Sequence, residues 1–365
     1  MARAPKIEIE RPPEDALPDV ELPRRTGILI GHKSAEQTLL DAYRSGRMHH
    51  AWLIAGAPGI GRATLAFRFA RFMLAHPDQA SEAVRAAADL TIPAESPAAH
   101  RVAAGVHPNL LHLHREWSPK SDRYQGSIGV DATRRIIHFL GTTAGESGGW
   151  RIVIADPLDD MTPSAANALL KNLEEPPART LFLLVCRSRG SVLPTIASRC
   201  RMLQLEPLGE AETVQVAEAV WPDAAGASDR LLAARLANGS PRRLIAILQG
   251  EGVGLYRDML RAIERDDAAA RMALAWKAGA SERACDAFLD IFDGYLHRRV
   301  HGTPEPDRAA APPLRPLVTW AALWEKAAAA ARDVRTFNLD RTHFVLDLLE
   351  RSAATMRETA TPSLQ

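Results

Sequence analysis

Residues 52–64 read WLIAGAPGIGRAT, and this stretch limits the possible folds more than any other part of the chain. An apolar run, Trp52 to Ile54, leads into a glycine-rich turn and then a helix-like segment. That is the layout of a phosphate-binding loop between a strand and a helix, with the pattern G-x-x-x-x-G-K-[ST]. Gly56 and Gly61 hold the two glycine positions, and Gly59 lies between them. Arg62 stands at the lysine position and Ala63 at the hydroxyl position, with Thr64 one place late. In a working loop the lysine reaches the β- and γ-phosphates and the hydroxyl ligates Mg²⁺. Arg62 keeps a positive charge but not the compact ammonium, and Ala63 offers a metal nothing. The glycine turn remains while the catalytic groups are missing. A strand-to-helix turn that never met a nucleotide is the alternative reading of this segment alone.

From residue 27 to about 207 the pattern alternates between strand and helix. Strands are expected at 51–55, 109–115, 151–155, 181–186 and 201–205, and helices at 34–45, 63–75, 131–144 and 163–174. Such alternation predicts an α/β fold with a parallel sheet covered by helices, and ligands then bind at the carboxyl ends of the strands. The Ala-rich stretch 76–106 reads as an insertion with one helix, and 117–127 as a polar loop. Beyond Pro207 the strands stop. Helices are expected at 209–222 and 227–249, the latter interrupted by Asn238-Gly239-Ser240-Pro241, then from 251 onward. Phe288, Ile291, Phe292, Tyr295 and Leu296 share one helical face. A Pro-rich connector, 302–316, precedes helices near 317–332 and 340–357. The expected organisation is a disordered leader at 1–26, which carries five prolines and many charges. A P-loop-like domain at 27–207, a small helical unit at 208–250 and an all-α domain at 251–365 follow it.

The 365 residues suffice for two or three domains. A net charge of +1 gives no global electrostatic case for nucleic acid or membrane. The three cysteines, Cys186, Cys200 and Cys285, have no C-x-x-C spacing, which removes a cysteine zinc ribbon and fits a reducing compartment. The N-terminus lacks an apolar signal region, and no apolar stretch reaches the length of a membrane span. A cytoplasmic location is the expectation.

RIVIAD, residues 151–156, places Asp156 at the end of a buried strand, where the acidic partner of a phosphate loop holds the Mg²⁺ shell. The glutamate that would activate water is replaced by Pro157, and Asp159 and Asp160 are displaced along the chain. Asp156 as a turn cap is the alternative. Two halves of one site altered in parallel favour a degenerate nucleotide site. Residues 167–177, NALLKNLEEPP, read as a helix ended by Pro176-Pro177. Arg199, in Ser198-Arg199-Cys200, is read either as a solvated or paired arginine or as one that completes a neighbour's phosphoryl-transfer site in trans. Arg242 and Arg243 open a helix where the macrodipole prefers anions, which suggests an anion or partner contact. His112 and His114 alternate on one strand face, but their spacing matches no common zinc motif.

SIGVDATRRI (127–136), RIVIAD (151–156), NALLKNLEEPP (167–177) and LPTIASRC (193–200) stand in an order and spacing that resembles the delta-prime family of bacterial clamp-loader subunits. HPNLLHL (107–113) ahead of GVD (129–131) points the same way, and the resemblance covers roughly residues 28–250. It implies an AAA+ domain, a helical lid and a helical collar that joins subunits into a ring. It implies a stator that hydrolyses no ATP itself and requires no cofactor. Arg199 is then the arginine that acts in trans on ATP and Mg²⁺ at the neighbouring subunit's site. The implied partners are the gamma/tau motor subunits, the delta subunit, the sliding clamp and, through the assembly, primed DNA. Gly56, Gly59, Gly61, Arg62, Asp156 and Arg242 correspond to a degenerate nucleotide site, with Arg242 where motor subunits keep a phosphate-sensing lid arginine. The cysteine zinc module that many members carry is absent, so no metal site is implied. Two other readings stay open: an ATP-hydrolysing motor of a clamp loader or branch-migration complex, and a scaffold that binds ATP without hydrolysing it.

Overall fold

A computed structural model describes residues 16–119, 121–141, 149–221, 227–250, 252–307, 317–337 and 339–360. The chain divides into two compact units, Met1–Trp221 and Pro222–Gln365.

In chain order the first unit runs α1 (Lys33–Arg44), β1 (Ala51–Ala55), α2 (Arg62–Ala75), α3 (Glu82–Ala86), α4 (Pro97–Ala103), β2 (Leu110–Leu113), β3 (Trp117–Ser118), β4 (Arg123–Tyr124), α5 (Val130–Gly141), β5 (Arg151–Ala155), α6 (Pro163–Glu174), β6 (Thr180–Cys186), α7 (Pro194–Ala197), β7 (Arg201–Gln204) and α8 (Glu210–Val220). Five strands form a parallel sheet in the order β2-β5-β6-β1-β7. Strands β1 and β6 are buried along their whole length. Their unbroken apolar runs therefore suit a sheet covered on both faces. Side chains alternate between two cores. Trp52, Ile54, Ile152, Leu183 and Val185 pack with Leu39, Leu40, Phe69 and Phe72 of α1 and α2. Leu53, Val153, Phe182 and Leu184 pack with Ile136, Leu169, Leu173 and Ile196 of α5, α6 and α7.

The strand predictions hold to within a few residues, and for β1, β5 and β6 burial leaves little freedom in where an apolar run starts and stops. The stretch 76–106 differs: it forms two helices rather than one. Ser81 caps α3 and Ser96 caps α4, with Pro97 at the first helical position. Val84, Leu90 and Val102 anchor the stretch in the core. Residues 117–127, expected as a loop, contain a short antiparallel pair, with Trp117 edge-on to Tyr124 at 5.1 Å. Of the expected leader, residues 16–26 are placed and 1–15 lie outside the described residues. Arg24 and Thr26 are buried. Arg71 donates to the Thr26 carbonyl, and Arg68 donates to Gly27 O at 2.7 Å while pairing with Glu36 at 2.6 Å. Two arginines on α2 thus hold a segment that cannot build a core of its own. The expected helix end at 142–144 and most of the connector 302–316 fall outside the described residues.

The second unit is helical: α9 (Ala227–Leu236), α10 (Pro241–Gln249), α11 (Gly252–Glu264), α12 (Ala268–Gly279), α13 (Glu282–His301), α14 (Leu317–Phe337) and α15 (Arg341–Ala360). Helix α12 packs on α11 and α15, and α13 packs on α14. Tyr256, Phe288, Phe292, Tyr295, Leu296, Trp320, Val345 and Leu349 are buried. Glu305, also buried, accepts from Arg298 Nε at 3.0 Å and from the Tyr256 hydroxyl at 3.0 Å, with Arg299 Nε at 3.7 Å. Among the described residues no helix is long and apolar enough to cross a membrane.

Candidate functional site

Each parallel strand delivers its carboxyl end to the same edge of the sheet, and there β1 opens into the glycine turn. Gly59 and Gly61 adopt φ of 78° and 110°, in the region that favours glycine. Gly56 is required for a different reason. A Cβ there would lie 2.8 Å from the Leu205 carbonyl oxygen and 2.7 Å from Ile60 Cδ1. The turn is pinned from outside by His32, whose Nε2 lies 2.8 Å from Ile60 O. His32 itself sits at φ 55°, ahead of α1.

Arg62 is the first residue of α2 and is buried. Its guanidinium turns back across the loop, and Nη1 donates to the Cys186 carbonyl at the end of β6. The same carbonyl accepts the Gly56 N–H at 3.3 Å. Burial lowers the Arg62 pKa from its ordinary value, and the carboxylates of Asp156 and Asp159 oppose that shift. Asp156 is fixed just past β5, its N–H donating to Leu113 O at 2.9 Å. Asp159, displaced in sequence, is nonetheless within electrostatic reach of Arg62. Its Oδ2 accepts from Arg187 N at 2.8 Å, and its Oδ1 is buried without a hydrogen-bond partner. Asp160 instead pairs with Arg115 at 2.9 Å. Around the loop, Arg62 thus lies within electrostatic reach of the acidic side while its guanidinium bonds to the Cys186 carbonyl. The loop residues do not suit Mg²⁺-nucleotide, since Ala63 brings no ligand and the cation at the lysine position is already engaged.

Arg199 lies at the other end of the sheet. Strand β7 begins at Arg201 beside Trp52, near the start of β1. The length of β1 then separates Arg199 from its own loop, about 13 Å at ~3.3 Å per residue. Arg199 Nη1 donates to Thr195 O at 2.9 Å and to Ser198 Oγ at 3.3 Å, and Nη2 pairs with Glu174 Oε1 at 2.7 Å. Its side chain is 36% exposed. Burial pushes the neighbouring Cys200 thiol up to about 12, and the Cys186 thiol likewise to about 12. Neither is a ready nucleophile at neutral pH.

Arg242 belongs to the second unit, at the second position of α10, half-buried and within the field of Asp290. Arg243 beside it donates to Asp290 O. His112 and His114 do share a strand face, their rings 4.7 Å apart. Among the described residues no group of three or more His, Cys, Asp or Glu is placed to hold a metal ion. Sequence reasoning missed His32 and the Cys186 carbonyl as parts of the loop and Glu174 as the partner of Arg199, and it set Asp159 aside as displaced although it acts on Arg62. Only Glu174 carried a signal, its place in the LEEPP run.

The parallel sheet, the glycine turn at its carboxyl edge and the helices on both faces define an α/β module of the P-loop type. A family described as DNA polymerase III, delta subunit, matches residues 31–209. DNA polymerase III subunit delta' of Pseudomonas aeruginosa is 34% identical over 258 residues, which cover 69% of this chain and 73% of that protein. The delta' subunit of Yersinia pestis is 30% identical over 274 residues, covering 67% and 76%. The delta' subunit of Escherichia coli is 34% identical over 218 residues, and this alignment spans 59% of each chain. The chain belongs to the DNA polymerase III delta' family.

Proposed function

We propose that this chain is the stator subunit of a DNA polymerase III clamp loader, assisting ATP-dependent loading of the sliding clamp onto primed DNA. It hydrolyses no ATP of its own and supplies Arg199 to ATP and Mg²⁺ bound by a neighbouring motor subunit. It works in the cytoplasm with gamma/tau-type motors and a delta subunit, the helices of 208–250 acting as a lid and those of 251–365 as a collar. The carrying observation is the position of Arg199: half-exposed, held by three contacts, at the end of the sheet opposite its own loop. An arginine so placed is away from its own chain's loop, which supports a role toward a site outside it. The inward turn of Arg62 supports the same reading, because it removes the cation that a catalytic loop would aim at the β- and γ-phosphates. The developing charge on a transferred phosphoryl group is what an arginine in trans stabilises, an effect of about 10³–10⁵ in rate.

The test is clamp- and DNA-stimulated ATP turnover by the reconstituted assembly. Arg199→Ala is expected to lower turnover with the assembly intact. Unchanged turnover would leave Arg199 a structural residue and refute the proposal.

A further inference from the structure

Helix α6 starts on a Thr162 cap with Pro163 at its first position and stops ahead of Pro176-Pro177. Leu169 and Leu173 are buried in the core on one face of the sheet, which fixes the rotation of the helix and leaves Glu174 at its end half-exposed. Ile196 of α7 is buried in that same core, and Arg199 N donates to Ile196 O at 3.0 Å. Two elements 20 residues or more apart in the chain are thus seated on one set of side chains, and Glu174 and Arg199 meet at their ends.

We propose that Glu174 is a positioning residue for Arg199, holding the guanidinium in the orientation in which it reaches a neighbour's bound nucleotide. The inference rests on the trans-acting role of Arg199 given above. Thr195 O and Ser198 Oγ take both hydrogens of Nη1, and Glu174 takes one of Nη2. The Nε–H and the second Nη2 hydrogen are left over, two donors, the number a bidentate grip on a phosphate uses. A long arginine side chain otherwise samples many rotamers, and fixing it before encounter removes that cost from the encounter itself. With 36% and 50% exposure the pair contributes little to folding, so its role is placement rather than stability.

The test uses the reconstituted assembly of full-length subunits carrying E174A, E174D, R199A or the E174A/R199A pair, with assembly checked by gel filtration. E174A is expected to lower the stimulated kcat by up to about 10²-fold, the scale of a misplacement of ~1 Å. The KM for ATP should stay near its original value, because the neighbour's loop binds the nucleotide. E174D withdraws the carboxylate by one methylene and should give an intermediate kcat. It carries the test if E174A does not assemble. In the R199A background, E174A should have no further effect. Wild-type kcat in E174A or E174D, with R199A impaired, overturns the role of Glu174 and leaves that of Arg199 standing. An equal loss from E174A in the R199A background also overturns it. R199A at the wild-type rate would instead remove the reading on which the inference rests.

Discussion

Arg62 donates to the Cys186 carbonyl, the same oxygen that receives the Gly56 N–H, so the first residue of α2 closes the turn that leads into it. The loop is thereby a structural joint between β1, β6 and α2. Arg62→Ala would leave a buried carbonyl with one partner fewer and remove a cation within electrostatic reach of the Asp156 and Asp159 carboxylates. The expected cost is about 1–3 kcal/mol, read from denaturant unfolding of the full chain. An unchanged unfolding midpoint would show that the guanidinium is dispensable to the joint.

Gly56 allows close passage of β7's exit. The Leu205 carbonyl that a Cβ would meet at 2.8 Å is backbone, and Leu205 N is itself bonded to Ala55 O at 2.8 Å, so it cannot easily withdraw. Gly56→Ala is expected to destabilise by about 1–3 kcal/mol through overpacking. Gly254→Ala, in α11 with open space around the added methyl, is expected to stabilise by up to about 1 kcal/mol. Thermal unfolding of the two variants should move in opposite directions.

How much of this was legible in the sequence depends on what fixed each feature. Strands β1, β5 and β6 were legible because their residues are buried on both faces and their apolar runs are unbroken. The broken loop was legible because Arg62 and Ala63 depart from a motif whose chemistry is known residue by residue. The direction of the Arg62 side chain was not, since its acceptor is 124 residues away. The Glu174–Arg199 pair was hidden for the same reason: only the seating of α6 and α7 on one core brings them together. The two short helices in 76–106 were announced by Ser81 and by Ser96-Pro97, but the alanine-rich composition masked the caps.

His112 is half-buried on β2 against the edge of Phe67, with Nε2 out of solvent and unpartnered. Burial, aided by His114, Arg24 and Arg135, holds its pKa down at about 3. The unfolded chain takes up this proton near pH 6.5, whereas the native protein does so only near pH 3. Stability from this group is therefore fully present above pH 6.5. It falls by about 1.4 kcal/mol per pH unit as the pH drops toward 3. His112→Phe should flatten that part of the stability profile between pH 6.5 and 4, measured by denaturant unfolding. An identical slope in the variant would place the acid sensitivity elsewhere.

In the helical unit Glu305 is 2% exposed and faces Arg298 and Arg299, themselves buried. Glu305→Ala leaves two interior guanidiniums without their shared carboxylate and the Tyr256 hydroxyl without that acceptor. The expected loss is about 3–5 kcal/mol, read as a lower unfolding midpoint. A change within experimental scatter would mean that solvent reaches the cluster.

The central proposal is that this loop serves as a structural joint rather than as a nucleotide site. Equilibrium titration of the full-length chain with a fluorescent ATP analogue and Mg²⁺ tests it most directly. The closed contact between Arg62 and Cys186 predicts no saturable binding. One-to-one saturable binding, displaced by unlabelled ATP, would contradict it and make the chain a nucleotide-holding scaffold.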